Sequence, residues 1–220
     1  MKINKNMKKI AMLFTMLLML FAMTVSVNAE SKKVQHKKYV KAIEQFNRKN
    51  VNGAKKWSKL GMAMAPGKMS TYFAFADIDK NGTDECIVCY AGKGQKKLTT
   101  AVCGNRTEIY TLKNGKVKKL IQQGEYGAGW YPQIRVYKNS NLIEQYTWGH
   151  SLNENAYYRY KSGNLAKKET YSAKYYMGDK YYYVNGKKTN LKTYKAFIKK
   201  MTKKGYPMYQ YTKTNLNKHL

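Results

Sequence analysis

The sequence predicts a mainly β (α+β) protein, in which an antiparallel meander of about eight strands lies between an N-terminal and a C-terminal helix. Two observations predict this fold. Aromatic and β-branched runs alternate with turn dipeptides along most of the chain, and apolar residues at helical spacing occur near both ends. The turn dipeptides recur 23 to 25 residues apart, a spacing that degenerate repeats or chance would both give. They are Asn114-Gly115, Asn139-Ser140, Ser162-Gly163 and Asn185-Gly186.

The order of the elements follows from these patterns. Residues 31–50 predict an amphipathic helix that Ser31 can cap and that packs its apolar face on the core. Residues 70–184 contain the runs that predict the β-meander. Residues 190–201 predict a closing helix, with Asn190 as its N-cap and lysines in its last turn.

The first 29 residues have the pattern of a secretory signal peptide. Four lysines precede an apolar stretch over 10–23, and Val27 and Ala29 supply the small residues for cleavage before Glu30. An uncleaved membrane anchor is the alternative, but the apolar stretch is shorter than the ~20 residues that a span requires. We therefore expect residues 1–29 to be removed and residues 30–220 to form a single secreted domain.

One acidic loop, DIDKNGTDE at 77–85, interrupts an otherwise cationic chain and holds four of its twelve acidic residues. Side-chain oxygens recur at positions 1, 3, 5 and 9, glycine occupies position 6, and position 7 offers a carbonyl, which is the ligand spacing of a calcium loop. Position 12 is Val88 and the flanks resemble strands, so the loop is not an EF-hand. A polar β-turn without a metal is the alternative. The predicted Ca²⁺ ligands are Asp77, Asp79, Asn81, the Thr83 carbonyl, and Glu85 directly or through water.

This loop and the apolar strand that follows it resemble the Asp-x-Asp-x-Asp-Gly-x-x-Asp/Glu loop of FG-GAP-type repeats and of small secreted proteins from Gram-positive bacteria. The likeness covers about 15 residues closely, and the tyrosine-rich hairpins and the closing helix are also similar to those small proteins. The chain departs from the pattern at Asn81, which keeps an oxygen ligand but removes one charge. The resemblance implies calcium binding and an extracellular location, and it implies no reaction.

The net charge of +30, or +26 without the predicted signal peptide, indicates attraction to anionic polymers. Most basic residues are lysines, which bind phosphate as point charges, so specific nucleic-acid recognition is not predicted. The tyrosine-rich strands either pack on the sheet or present rings for stacking on sugars. Trp130, Tyr131 and Trp148 are the candidate ligand surface.

No catalytic residue is predicted, because the sequence shows no paired carboxylates and no phosphate-binding glycine loop. Cys86 and Cys89 should face opposite sides of a strand, and one of them could form a disulfide with Cys103. The main hypothesis is a secreted, calcium-binding, non-catalytic protein that binds an anionic polymer or glycan at the cell surface or wall. The alternatives are a glycan- or wall-acting hydrolase or lyase that uses His150 and nearby carboxylates, and a cationic membrane-active toxin.

Overall fold

The computed structural model describes residues 31–59, 68–102, 106–122, 131–148, 152–176 and 178–220. The predicted signal peptide lies outside these ranges. From Lys32 to Leu220 the chain forms one compact unit. None of the helices in the described ranges has both the length and the apolar character needed to cross a membrane.

Three helices and eleven strands make up the described part of the chain, so the mainly β prediction is confirmed. The helices are α1 (Lys32–Lys59), α2 (Leu191–Met201) and α3 (Lys213–His219), and a short 3-10 turn covers Thr100–Val102. The strands are β1 (Met69–Ala76), β2 (Glu85–Gly92), β3 (Arg106–Lys113), β4 (Lys116–Gln122), β5 (Tyr131–Val136), β6 (Leu142–Trp148), β7 (Leu152–Lys161), β8 (Asn164–Tyr176), β9 (Asp179–Val184), β10 (Lys187–Thr189) and β11 (Tyr209–Gln210). The strands β10 and β11 have only three and two residues, too few to give a periodic pattern, and without them the number is nine, close to the expected eight.

Two antiparallel sheets divide the meander. The first has the order β11-β1-β2-β3-β4 and the second has the order β10-β9-β8-β7-β6-β5. The two sheets pack face to face, and Ile87, Cys89 and Ile109 of the first share one buried cluster with Ile134 and Ile143 of the second. This cluster is the centre of the fold, since burial of apolar area is the main favourable contribution to folding.

Helix α1 covers the outer face of the first sheet, as its amphipathic pattern predicts. Its buried residues Tyr39, Ile43 and Phe46 pack in one cluster with Phe73 and Val88. The helix continues to Lys59, beyond the expected end at residue 50. Asn52-Gly53 does not end it, because one glycine inside a helix costs only about 1 kcal/mol.

Helix α2 covers the outer face of the second sheet. Phe197 and Met201 pack there with Tyr157 and Tyr171. The predicted N-cap is confirmed, because Asn190 Oδ1 accepts a hydrogen bond of 2.8 Å from the Thr193 amide. Several tyrosine rings of these strands are therefore buried beneath a helix, as expected if tyrosines pack on the sheet.

Three of the four turn dipeptides have positive φ at both residues, as two-residue hairpins require. These dipeptides are Asn114-Gly115, Ser162-Gly163 and Asn185-Gly186. The remaining turn has positive φ at Asn139 and Asn141. All four connect neighbouring strands, so the dipeptides located the hairpins correctly.

Candidate metal centre

The acidic loop connects β1 to β2, and the predicted strands on both sides of it are present. Ala76 at the end of β1 pairs with Glu85 at the start of β2, and the loop turns between them. Lys80 and Gly82 have φ values of 61° and 89°, and these left-handed conformations reverse the chain direction within a few residues. The reversal brings three of the four acidic side chains of the loop together.

Three carboxylates converge in this loop. Asp77, Asp79 and Glu85 each offer one oxygen, and these oxygens all lie within 4.8 Å of one another. Glu85 is buried, whereas the two aspartates are half-buried. Anionic oxygens at this separation can hold a metal ion, because a cation offsets their mutual repulsion.

The first half of the loop is also held by local hydrogen bonds. Asp77 Oδ1 and Oδ2 accept from the amides of Asn81 and Gly82 at 3.0 and 2.9 Å. Asn81 Oδ1 accepts from the Thr83 amide at 2.7 Å. These are the bonds of a polar turn, and they fix the positions of two predicted ligands before any ion binds.

Asp79 links the loop to the second sheet. Its Oδ2 accepts hydrogen bonds from the backbone amide of Ser162, in the β7–β8 turn, and from Asn81 Nδ2. Its Oδ1 is buried and accepts no hydrogen bond within the described part of the chain. A buried carboxylate oxygen without a partner costs free energy, and a cation is the partner that would best remove this cost.

Glu85 reaches the same point from the start of β2 and is fully buried. Its Oε1 accepts from Tyr160 at 2.7 Å and from Thr111 at 3.1 Å, and its Oε2 accepts from the Ile78 amide at 3.1 Å. Burial raises the pKa of Glu85 more than these hydrogen bonds lower it, and the resulting value is about 7. The carboxylate thus carries a proton part of the time at neutral pH unless a cation stabilises its charge.

Asp84 lies outside the group of converging carboxylates, and its side chain binds α1. It accepts hydrogen bonds from Lys32 and from His36 Nε2, the latter at 2.7 Å. Burial raises the pKa of Asp84, but the hydrogen bonds from His36 and Lys32 outweigh it and lower the pKa. Lys32 Nζ also lies 3.9 Å from Asp77 Oδ2, so this lysine partly offsets the charge of the cluster.

The same helix holds the backbone of the loop. Gln35 accepts from the Asp84 amide at 2.9 Å and donates to the Gly82 carbonyl at 3.2 Å. Tyr39 donates to the Asp84 carbonyl at 2.7 Å. Sequence reasoning missed these supports, although a polar residue such as Gln35 within the apolar stripe of α1 was a signal that could have identified them.

The other predicted site residues are placed only in part. Trp130, His150 and Cys103 lie outside the described residues. The backbones of Tyr131 and Trp148 pair across β5 and β6, and their side chains lie outside the description. The structure therefore does not bring the predicted aromatic surface together as a described site.

Glu144 is one of the carboxylates near His150 in the sequence, and the structure describes its side chain. It is fully buried and accepts hydrogen bonds from the hydroxyls of Tyr137 and Tyr171. Arg135 Nη1 lies 3.6 Å from Glu144 Oε2 and partly balances the charge of this carboxylate. The arrangement is that of a satisfied core carboxylate beneath α2, since it has no exposed surface for a substrate.

Cys86 and Cys89 are both buried and free, so neither forms the considered disulfide with Cys103. They face opposite sides of β2, as predicted: Cys86 packs in the α1 cluster and Cys89 in the cluster between the sheets. Burial raises the pKa of Cys86, so its thiol is unreactive. The two residues act as small apolar side chains.

No protein-family model matches this chain, and no curated protein and no solved structure matches it either. The likeness of the acidic loop to secreted Gram-positive proteins therefore stays a resemblance over a short segment.

Proposed function

We propose that this chain is a secreted, calcium-binding, non-catalytic protein that binds an anionic polymer or glycan at the bacterial cell surface. The observation that carries the proposal is the convergence of three carboxylates within 4.8 Å, in a loop that has the ligand spacing of a calcium site. The calcium ion is a structural cofactor that stabilises the loop between the two sheets.

The chemistry of the donors favours calcium. Asp77, Asp79 and Glu85 supply carboxylate oxygens, and Asn81 and the Thr83 carbonyl add neutral oxygens at the spacing that a wrapped Ca²⁺ ion uses. Magnesium usually keeps several waters and is bound through one or two carboxylates, so a loop with this many protein oxygens suits it less well. The unpartnered Asp79 Oδ1 would gain the contact that it lacks.

The affinity should be modest. Position 12 of the loop is Val88, a fully buried core residue, so the bidentate glutamate of an EF-hand has no counterpart. Extracellular calcium modules bind with Kd values of about 10⁻⁴ to 10⁻³ M, and we expect the same range here. Such a site is filled where extracellular calcium is abundant.

The charge distribution supports an anionic partner. The chain has 42 lysines and arginines against 12 acidic residues, and four of those twelve lie in the acidic loop. Lys174, Lys180 and Lys188 each lie over tyrosine rings, and none is paired with a carboxylate in the described ranges. Their charge is therefore available to a polyanion.

Calorimetric titration of residues 30–220 with CaCl₂ and with MgCl₂ tests the metal assignment. We expect one calcium site, weaker magnesium binding, and loss of the calcium signal in Asp79→Asn. A matched control is Asp179→Asn, which removes one exposed aspartate on β9 and should leave the titration unchanged. Equal titrations of the wild type and Asp79→Asn would show that the loop is only a turn.

The partner and the location are tested separately. Intact mass of the exported protein should place its N-terminus at Glu30, and a product that begins at Met1 would contradict secretion with cleavage. Binding to purified wall or to heparin should weaken steeply from low to physiological salt, because exposed charges are screened over about 10 Å at 0.1 M. Absence of binding at low salt would refute the polymer-binding role.

A further inference from the structure

The second sheet carries a groove on the face that continues from the core between the sheets. The groove has a volume of about 390 Å³, which is the size of a small-ligand site. On this face of β6, Ile143 lies in the buried core between the sheets. Gln145 and Thr147 follow at alternate positions of the same strand and therefore share that face. The groove lining includes Gln145, Thr147, Tyr158, Thr170, Ser172 and Tyr183.

The lining combines two kinds of groups. Gln145, Thr147, Thr170 and Ser172 are half-buried and neutral, and their amides and hydroxyls both donate and accept hydrogen bonds. Tyr158 and Tyr183 add aromatic rings beside them. One acidic residue, Glu154, occupies the register position between Thr147 and Ser172. Such a surface suits a ligand with many hydroxyl groups and an apolar ring face.

Two lysines stand at the edge of this groove. The register pairs Lys174 with Tyr181 and Lys188 with Tyr183, so all four share the face of the groove. Lys174 Nζ lies 5.6 Å from the centre of the Tyr183 ring, and Lys188 Nζ lies 4.3 Å from that of Tyr181. Both lysines are exposed, and the rings hold them near the groove by cation–π contacts.

We propose that this groove is a binding site for an acidic saccharide, with sugar hydroxyls on its polar floor and a sulfate, carboxylate or phosphate group at Lys174 and Lys188. The inference rests on the proposed binding of an anionic polymer and gives that binding a location and a ligand class. Tyr183 stacks on a sugar ring while it supports Lys174. The two lysines select charged over neutral sugars.

The test uses two double variants of residues 30–220 that change the net charge equally. Lys174→Gln/Lys188→Gln removes the charges at the groove, and Lys113→Gln/Lys116→Gln removes two exposed charges on the β3–β4 hairpin of the other sheet. The probes are a heparin hexasaccharide and a hexagalacturonate, which distinguish sulfate from carboxylate, together with neutral maltohexaose. Two other polyanions serve as controls. Polyglutamate contains no sugar, and oligo-dT carries bases.

We expect at least one acidic hexasaccharide to bind the wild type, and the groove variant to bind it about tenfold more weakly at 0.1 M salt, since two charge contacts are lost. The hairpin variant should change binding less than about twofold. Tyr183→Leu, which keeps an apolar side chain but removes the ring, should weaken binding about fivefold or more. Melting curves of all three variants check that the fold is intact.

Equal weakening in the two double variants would overturn the groove while leaving the polymer-binding role in place. Polyglutamate or oligo-dT binding as tightly as the acidic sugars would overturn the saccharide assignment. If none of the anionic probes binds the wild type, the proposed partner fails together with the groove. Tight binding of maltohexaose would overturn the role of the two lysines.

Discussion

The buried carboxylate of Glu85 should make the stability of the calcium-free protein fall as the pH rises. Its pKa is raised by burial from 4.5 to about 7. Between these values the folded protein keeps a proton that the unfolded chain has released, so folding becomes less favourable with increasing pH. This stabilising contribution is fully present below pH 4.5 and is lost as the pH rises through about 7.

The two pKa values set the magnitude. Between pH 5.5 and pH 8 the free energy of unfolding should fall by about 2 kcal/mol, which corresponds to a decrease in Tm of about 4–8 °C for a domain of this size. Calcium binds the ionised carboxylate and so opposes this loss. At 10 mM calcium and a Kd of about 10⁻⁴ to 10⁻³ M, the ion should add about 1.4–2.7 kcal/mol at pH 8. At pH 5.5 the proton competes with the ion and the gain should be smaller.

Urea denaturation of the wild type and Glu85→Gln, at several pH values with chelator and with calcium, measures both effects. Glutamine keeps the size and one acceptor oxygen but cannot ionise, and histidine titrations contribute equally to the two proteins. The difference between them therefore isolates Glu85. Parallel pH dependence of the two proteins in chelator would refute the raised pKa. An equal calcium response in the two proteins would refute Glu85 as a ligand.

Three further predictions concern other parts of the structure. Asp77→Ala should abolish the calcium-dependent rise in Tm. Asp84→Ala should keep that rise but lower stability by about 1–3 kcal/mol with or without calcium, because its hydrogen-bond partners on α1 lose their acceptor. The reverse pattern in thermal melts would exchange the roles of the two aspartates. Asn190→Ala should lower the free energy of unfolding by about 1 kcal/mol in urea through loss of the α2 cap, and an unchanged value would contradict the cap. Cys86 and Cys89 should resist alkylation in the native protein and react in urea, as peptide mass mapping would show; rapid native labelling would contradict their burial.

The sequence predicted the features that depend on neighbouring residues. The hairpin at Asn185-Gly186 follows from backbone conformations that asparagine and glycine adopt easily. The cap at Asn190 and the strands beside the acidic loop are equally local. The convergence of Asp77, Asp79 and Glu85 also follows from their spacing within one loop, which is why this acidic cluster could be located before the fold was known.

The features that sequence reasoning missed depend on long-range contacts. Nothing near Glu85 in the sequence indicates that Tyr160, 75 residues away, donates a hydrogen bond to it. The division of the meander into two sheets also depends on contacts between distant residues. The same holds for the hydrogen bond between Asp79 and the turn at Ser162. No element was predicted after residue 201, because β11 has two residues and α3 only seven, too few to give a periodic pattern.

That short C-terminal segment brings the two ends of the domain together. β11 pairs with β1 at Tyr72 and Phe73, and His36 Nδ1 lies 2.8 Å from the carbonyl oxygen of His219, 183 residues later in the chain. Contacts of such large sequence separation require closure of a long loop before they stabilise anything, and they slow folding. A chain that crosses a membrane N-terminus first would hold the edge of β1 unpaired until β11 arrives. Translocation as far as β11 would thus precede closure of the first sheet.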